Sequence, residues 1–233
     1  MHYAIIAAGE GSRLVCEGVE CPKPLVKLNG VAMIDRLIGI MSRCRAESIA
    51  VIVNEQMVAV RDYLSTIKVS VPLHVVVKST PSSMHSFYEV SRAIPGEARK
   101  FVLTTVDTVF DESEFSHYVD SFEQDDDIDC LMGVTGFVDD EKPLYVETDS
   151  YMSIVSFRDE PYDGVKYVSG GIYGLKPSAL AVLNRCVEQD ISRMRNFQRA
   201  LIADGLKLKA YPFGKIVDVD HLSDIKIAES IDG

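Results

Sequence analysis

The segment YAIIAAGEGSRL at residues 3–14, followed by PKPL at residues 22–25, decides the fold of this chain. Its apolar start predicts a short buried strand over residues 3–8 that runs directly into a glycine loop. Glycines in such a loop let backbone N–H groups approach phosphate oxygens where a Cβ would intrude. Arg13 adds a forked cation that suits a polyphosphate, and Lys23 stands between two prolines on a stiffened segment. The segment therefore indicates a phosphate-binding loop, with a plain glycine turn beside a surface lysine as the structural alternative.

Two better-known glycine motifs do not fit this loop. A dinucleotide-binding fingerprint needs a third glycine where Leu14 stands, and an acidic residue at a strand end about 20 residues later. That later region, residues 27–30, is predicted to be a loop. The GxxxxGK[ST] phosphate loop is absent from the chain.

Outward from the loop, apolar periodicity alternates between strand and helix through the first half of the chain. The predicted strands are residues 3–8, 48–53, 73–77 and 101–106, and the predicted helices are residues 31–43, 55–64 and 83–93. Such alternation favours a mostly parallel sheet with helices on both faces, joined by right-handed crossovers.

The second half has a different pattern, in which strands follow one another in meanders or hairpins. Its predicted strands are residues 128–135, 144–148, 151–157, 206–211 and 216–219, and its predicted helices are residues 177–187 and 191–203. A last helix is predicted from about His221, with Asp220 as its N-cap. We therefore expect one α/β domain over residues 1–233, with a parallel core and a mixed edge.

The composition is that of a globular protein, since 47% of the residues are hydrophobic and 25% are charged. The net charge of −11 excludes a general affinity for nucleic acids or anionic membranes, because both favour surplus Lys and Arg. No apolar run reaches the roughly 18 residues of a membrane helix. The first residues lack a basic signal-peptide region, and the five cysteines form no CxxC pair. We therefore expect a cytoplasmic protein with no nucleic-acid or membrane partner.

The GxGSRL motif, with PKPL starting nine residues after Arg13, resembles the signature of the nucleotidyltransferase (sugar-nucleotide pyrophosphorylase) superfamily. The resemblance implies a glycosyltransferase-A-like (Rossmann-like) fold, which is a three-layer α/β/α sandwich with a mostly parallel mixed sheet. It also implies a nucleoside triphosphate substrate and Mg²⁺ as cofactor. The implied reaction transfers a nucleoside monophosphate to a small phosphate monoester, such as a sugar 1-phosphate, and releases pyrophosphate.

The resemblance also assigns roles to particular residues. The nucleotide would be bound by small residues of the glycine loop and of a helix start: Ala8, Gly9, Gly11, Ser12, Ser82 and Ser83. Arg13 and Lys23 would be the catalytic cations on the triphosphate, and Lys166 and Gly171 would bind the acceptor. The metal ligands would be carboxylates that follow or end strands: Asp107, Asp218 and Asp220.

Four of these assignments have a structural alternative. Asp107 could form an Asx turn after its strand, Asp220 and Ser82 could serve only as helix caps, and Gly171 could mark a bulged strand. In favour of a metal site, a regular strand would point Asp218 and Asp220 to one face. Mg²⁺ prefers oxygen ligands and binds beside substrate phosphates, so two or three carboxylates suffice.

One segment departs from the pattern of the superfamily. Many members that use sugar 1-phosphates have Glu-Lys-Pro where this chain has Asp159-Glu160-Pro161, so a carboxylate replaces the cation that would hold the acceptor phosphate. Lys166, a few residues later, could substitute for it, and Arg158 is also near. The departure favours a smaller or differently charged acceptor. One alternative is therefore cytidylyl or guanylyl transfer to a non-sugar phosphate, of the phosphocholine or molybdopterin type. A separate alternative is a nucleotide-binding regulatory domain without catalysis.

Overall fold

A computed structural model of the protein describes residues 1–138 and 141–231. The strands are β1 (His2–Ala7), β2 (Lys27–Leu28), β3 (Val31–Ala32), β4 (Ser48–Val53), β5 (Leu73–Val77), β6 (Phe101–Thr105), β7 (Thr108–Phe110), β8 (Cys130–Thr135), β9 (Tyr145–Thr148), β10 (Ile154–Arg158), β11 (Tyr167–Leu175), β12 (Leu208–Phe213) and β13 (Ile216–Asp218). The helices are α1 (Ser12–Cys16), α2 (Met33–Arg43), α3 (Val58–Thr66), α4 (Ser83–Ser91), α5 (Glu112–Gln124), α6 (Pro177–Glu188), α7 (Met194–Ala203) and α8 (Leu222–Glu229).

The centre of the described structure is a nine-stranded sheet. In its N-terminal half, β1 pairs in parallel with β4 and β6, and β4 pairs in parallel with β5. In its C-terminal half, β11 lies antiparallel to β6 and β8, and β12 pairs in parallel with β8. The predicted mostly parallel mixed sheet is confirmed.

A hydrophobic core lies on each face of the sheet, so the molecule is a three-layer α/β/α sandwich. Alternate residues of β1 serve the two cores, since Tyr3 and Ile5 pack into one while Ala4 and Ile6 pack into the other. Helices α2, α3, α5 and α8 contribute to the first core, and α4, α6 and α7 contribute to the second. In α2, the apolar residues whose spacing predicts the helix are all buried: Met33, Ile34, Leu37, Ile38 and Met41.

Strands β7 and β13 form a small sheet that places the acidic segment Asp218 to Asp220 beside the end of β6. The antiparallel register places Asp218 opposite Thr108, the residue that follows Asp107. The backbone N–H of Val219 also donates a hydrogen bond to the carbonyl oxygen of Asp107 at 3.0 Å. Two acidic segments that are far apart in the sequence are therefore neighbours in the fold.

The structure corrects the predicted start of the last helix, because the N-cap of α8 is His221 and not Asp220. The carboxylate of Asp224 accepts hydrogen bonds from the backbone N–H groups of Asp220, at 2.9 Å, and His221, at 2.6 Å. Glu17 accepts a further one from the N–H of Leu222 at 2.7 Å. Since Asp224 and Glu17 satisfy these backbone groups, the side chain of Asp220 is available for other contacts.

Other differences from the predicted elements are local. The helix predicted over residues 55–64 begins only at Val58, because the side chain of Asn54 accepts a hydrogen bond from the N–H of Gln56 and forms a turn first. Helices α1 and α5 and strands β2, β3 and β7 are not among the predicted elements; β2 lies in the predicted loop of residues 27–30, and β3 replaces the first two residues of the helix predicted over 31–43. Among the described residues, no helix is both long enough and apolar enough to cross a membrane.

Candidate active site

The carboxyl ends of β1, β4 and β6 open into a cleft of about 550 Å³, which we call the glycine-loop cleft. Open α/β sheets bind their ligands at this edge. The lining of the cleft includes every predicted nucleotide-binding residue: Ala8, Gly9, Gly11, Ser12, Ser82 and Ser83. It also includes both predicted catalytic cations, Arg13 and Lys23, and two of the predicted metal ligands, Asp107 and Asp220.

Gly11 gives the loop a geometry that other residues would disturb. Its φ of +63° lies in the left-handed region, and a Cβ at this position would come within 2.8 Å of the Cβ of Lys23. A Cβ on Gly9, by contrast, would meet open space. The missing side chain of Gly11 therefore lets Lys23 pack directly against the loop.

Lys23 is a buried cation between two of the carboxylates, with 6% of its surface exposed. Its ammonium donates hydrogen bonds to Asp107 and, at 2.6 Å, to Asp220. Burial opposes the charge, but the two carboxylates outweigh it and raise the pKa of Lys23 above its ordinary value. The side chain is therefore positively charged at any physiological pH.

The two acidic segments meet at Asp107 and Asp218. Burial opposes the charge of Asp107, but the neighbouring ammonium of Lys23 holds the pKa of Asp107 below its ordinary value. Asp218, at the end of β13, is exposed towards the β11 cavity described below, and its carboxylate accepts a hydrogen bond from the hydroxyl of Thr108 at 2.9 Å. Partial desolvation by the protein atoms around the carboxylate, together with the negative charge of Asp107, raises the pKa of Asp218 to about 7.

This arrangement suits a divalent cation held by two carboxylates. Asp107 and Asp218 repel each other electrostatically, and both supply the oxygen ligands that Mg²⁺ prefers. The predicted trio is not brought together, since no group of three candidate metal-ligating side chains occurs among the described residues. Asp220 instead bonds to Lys23 and, at 2.6 Å, to Arg13.

A second, smaller cavity of about 60 Å³ lies beside the cleft and shares Arg13 and Asp220 with it. We call it the β11 cavity, because Val168, Ser169 and Gly170 of β11 line it. The register of β11 shifts between Ser169 and Ile172, so the predicted bulged strand is observed. Gly171 has a φ of +72°, and a Cβ there would lie 2.9 Å from the hydroxyl of Thr108. The bulge therefore packs the strand against the turn that carries Asp107.

The structure does not place Lys166 at either cavity. Lys166 is exposed and is not among the described residues that line the glycine-loop cleft or the β11 cavity. Glu160, which stands where the superfamily pattern has its lysine, is exposed. Its neighbour Asp159 is bound by Arg195 at 2.5 Å and by Arg199 at 2.8 Å, so α7 neutralises the carboxylate of Asp159. Among the described residues, no contact supports Lys166 as the substitute for the missing cation.

Several residues of the two cavities were not predicted from the sequence. Asn54 lines the glycine-loop cleft at the end of β4, and Glu141 and His221 line the β11 cavity. The position of Asn54 directly after a buried strand is a signal that could have identified it. Ser82 occupies the N-cap position of α4 without capping it, because its hydroxyl contacts Nδ1 of His85 at 2.9 Å.

Comparisons with known proteins agree with this geometry. A sequence model of the MobA-like NTP transferase domain matches residues 3–159. No curated protein shows a significant match. The inositol-1-phosphate CTP transferase from T. maritima is 19% identical over 99% of this chain and 94% of that chain, with a TM-score of 0.82. HddC from Yersinia pseudotuberculosis is 19% identical over 100% of both chains, with a TM-score of 0.76. These likenesses confirm the predicted glycosyltransferase-A-like fold.

Proposed function

The chain belongs to the MobA-like NTP transferase domain family, and from this membership we propose that it transfers a nucleoside monophosphate from a nucleoside triphosphate to a phosphate monoester. It is an enzyme of the nucleotidyltransferase class. In the proposed reaction the acceptor is a small molecule such as a sugar 1-phosphate, and pyrophosphate is released. The observation that carries the proposal is the glycine-loop cleft. In this cleft Arg13, Lys23 and Asp107 lie beside a glycine loop of the kind whose backbone N–H groups approach phosphate oxygens.

The reaction needs no covalent nucleophile from the protein. An oxygen of the acceptor phosphate attacks the α-phosphorus of the triphosphate in line, and pyrophosphate leaves on the opposite side. Positioning and charge neutralisation supply most of the rate enhancement in such a transfer. The backbone around Gly9 and Gly11 binds the phosphates, and Ser82 and Ser83 at the start of α4 line the part of the cleft that takes the nucleoside.

The two cations have distinct roles in this proposal. Lys23 is buried and permanently charged, so it stabilises negative charge on the phosphates as the bond to pyrophosphate breaks. Arg13 is about half exposed at the boundary of the two cavities, where its forked guanidinium binds the outer phosphates.

Asp107 and Asp218 would hold the Mg²⁺ ion. When bound, Mg²⁺ would supply Lewis-acid neutralisation of phosphate charge. The two aspartates bring the required oxygen ligands to the boundary between the cleft and the β11 cavity, where donor and acceptor would meet.

A pyrophosphate-release assay tests the proposal. It crosses ATP, GTP, CTP, UTP and dTTP with glucose 1-phosphate, myo-inositol 1-phosphate, glycerol 3-phosphate and phosphocholine, in the presence of Mg²⁺. We expect release that requires both substrates for at least one pair and that is lost in Asp107→Asn. Nucleotide binding by calorimetry without release for any pair would instead support a regulatory nucleotide-binding domain.

A further inference from the structure

Glu17 connects the helix that follows the glycine loop to the start of α8. It is the C-cap residue of α1, and both oxygens of its carboxylate bond to α8 or its N-cap. Oε1 contacts Nδ1 of His221 at 2.6 Å, and Oε2 accepts a hydrogen bond from the backbone N–H of Leu222 at 2.7 Å. Leu222 is the first residue of α8, so the negative charge also lies at the positive end of that helix dipole. One side chain therefore fastens α1 to α8.

Helix α1 has few other attachments to the rest of the fold. It spans only the five residues Ser12–Cys16, and Gly11 at its N-cap position has no side chain to cap it. Of these five residues, Leu14 alone is buried. A helix this short is not stable by itself, because nucleation costs more free energy than its few hydrogen bonds return. The position of α1 is therefore set by the contacts that its side chains make with other elements.

Arg13 and Glu17 reach the same part of the structure from α1. The backbone N–H of Glu17 donates a hydrogen bond to the carbonyl oxygen of Arg13 at 3.1 Å, so helical geometry extends over the pair. Residues four apart on a helix lie on one face. Arg13 bonds to Asp220 at 2.6 Å, and Glu17 bonds to the two residues that follow Asp220. Glu17 thus fixes the rotation of α1 about its axis and, with it, the direction of Arg13.

Glu17 itself lies outside both cavities. It is not among the described residues that line the glycine-loop cleft or the β11 cavity, and 36% of its side chain is exposed. Gly11, Ser12 and Arg13, at the start of the same helical segment, do line the cleft. Glu17 therefore touches no nucleotide bound in the cleft, and any effect of Glu17 on binding passes through the position of α1.

A second glutamate in the same loop separates the effect of position from the effect of charge. Glu20 is exposed and forms no hydrogen bond or ion pair with any described residue. A carboxylate near a phosphate-binding loop repels the phosphates, so removal of its charge alone strengthens nucleotide binding. Loss of an anchor for α1 weakens binding instead. The two effects have opposite signs, which makes the role of Glu17 measurable.

We propose that Glu17 is a positioning residue for nucleotide binding: it anchors α1 to the start of α8 and thereby holds Arg13 and the glycine loop in the geometry that binds a triphosphate group. This inference rests on the proposed function, because it assigns the triphosphate to the glycine-loop cleft. A small displacement of binding groups has a large effect when several of them converge on one ligand. Glu17 therefore contributes to the affinity for the nucleotide although it does not contact it.

The test measures binding with two probes and needs no acceptor. ATP, GTP, CTP, UTP and dTTP are each titrated into the wild type with Mg²⁺ by calorimetry, and the tightest of them is the first probe. The second is inorganic tripolyphosphate, which has the phosphates without a nucleoside. In Glu17→Ala we expect the Kd of both probes to rise about tenfold, the scale of hydrogen bonds to a charged group. An equal factor for the two probes assigns the effect to the phosphate part of the site.

Two further variants examine the anchor from both of its sides. Glu17→Gln removes the charge but keeps an oxygen for the N–H of Leu222 and an amide for Nδ1 of His221, so its Kd should stay within about threefold of the wild type. Leu222→Pro removes only the N–H that Glu17 accepts, at the first position of α8, where proline is well tolerated. We expect Leu222→Pro to weaken both probes, by less than Glu17→Ala does.

Glu20→Ala is the matched control, and it should bind both probes at least as tightly as the wild type. Thermal unfolding checks that each variant is folded at the temperature of the titration. Steady-state kinetics give a second readout with an acceptor that the pyrophosphate-release assay identifies. Glu17→Ala should raise the KM for the nucleoside triphosphate about tenfold and change kcat less, because the lost affinity is common to the ground state and the transition state. The KM for the acceptor stays at its wild-type value.

The outcomes separate this inference from the proposed function. Unchanged or tighter binding of both probes by Glu17→Ala would overturn the inference, and so would an equal loss of affinity in Glu17→Gln or in Glu20→Ala. If the wild type binds both probes but releases no pyrophosphate with any acceptor, the proposed transfer is refuted while the binding comparison still decides the role of Glu17. If the wild type binds neither probe, the assignment of the cleft to a triphosphate is wrong and both proposals fail.

Discussion

Lys23 is a residue whose charge is set by two carboxylates rather than by solvent. Asp107 and Asp220 outweigh the cost of burying its ammonium, so a permanent cation lies beside the glycine loop. Interactions that strengthen in the transition state affect kcat and not only KM. The position of Lys23 therefore predicts a mainly kinetic role in the proposed reaction.

We expect Lys23→Met to lower kcat about 10²-fold or more, the scale of removing one preorganised charge-stabilising group. The measurement is pyrophosphate release at saturating substrates, with thermal unfolding to monitor the loss of the ion pairs. Lys27→Met, at an exposed lysine on β2, is the matched control and keeps the wild-type rate. If Lys23→Met kept a near-normal kcat, the role of Lys23 would be structural, as the ion-pair partner of Asp107.

Gly11→Val is expected to abolish nucleoside triphosphate binding while most of the fold remains. The substitution is strained at a φ of +63°, and its Cβ would displace Lys23 from a contact of 2.8 Å. Calorimetry measures the affinity, and circular dichroism checks the fold. Gly96→Ala, in an exposed turn where a Cβ meets open space, serves as the control. Unchanged affinity in a folded Gly11→Val protein would refute the phosphate-loop assignment.

At the residue scale, the sequence predicts what depends on local chain geometry. The glycine loop, Lys23 and Asp107 are recognisable because each lies in a motif at or after a strand end, and the structure brings them into one cleft. The contact between Thr108 and Asp218 gives no such signal, since it depends on the antiparallel pairing of β7 with β13, two strands far apart in the sequence.

At the element scale, the parallel half of the sheet follows from apolar periodicity, and β4 and β5 match their predicted bounds. The missed helix α5 did carry a signal. Its buried residues Phe115, Tyr118, Val119 and Phe122 follow helical spacing, and Asp111 caps it by accepting from the N–H of Glu114. Strand β11 is harder to recognise because two adjacent glycines interrupt it, and the resulting bulge depends on the neighbouring Thr108.

The start of α8 gives a prediction about helix capping. Asp224 satisfies the backbone N–H groups of Asp220 and His221, so Asp224→Ala should destabilise the protein by about 1 kcal/mol, as for a lost cap. Asp220→Asn should cost less stability but lower kcat, because the side chain of Asp220 contacts Lys23 and Arg13. Urea unfolding and pyrophosphate release measure the two effects. If Asp220→Asn destabilised the protein more than Asp224→Ala, Asp220 would be the residue that caps α8.

At the scale of the whole molecule, two parts of the chain supply two neighbouring cavities. Residues up to Asp107 build the glycine-loop cleft apart from Asp220, and residues from Thr135 onward build the β11 cavity apart from Arg13. Arg13 and Asp220 belong to both cavities and bond to each other at 2.6 Å. The nucleotide side, which carries the recognisable motif, was therefore predictable, whereas the acceptor side depends on contacts formed only in the folded chain.

The charge distribution at this boundary predicts how stability of the whole protein depends on pH. The pKa of Asp218 is raised to about 7 by desolvation of its carboxylate and by the charge of Asp107, so the folded protein keeps this proton to a higher pH than the unfolded chain. The unfolded state then binds fewer protons, and stability falls as pH rises from the ordinary carboxyl range through about 7. Asp107, whose pKa is lowered, has the opposite effect but only at more acidic pH.

Asp218→Asn removes this titration, so the variant should gain stability relative to the wild type between about pH 5 and about pH 8 in metal-free buffer. The difference in melting temperature between the two proteins, measured across that range with a chelator present, should grow with pH and level off above about 7. Asp62→Asn, at an exposed position on α3, is the control and should follow the wild type at every pH. If the difference between Asp218→Asn and the wild type is constant with pH, Asp218 ionises as an ordinary carboxyl. The mutual repulsion that makes Asp107 and Asp218 a candidate metal site would then be absent.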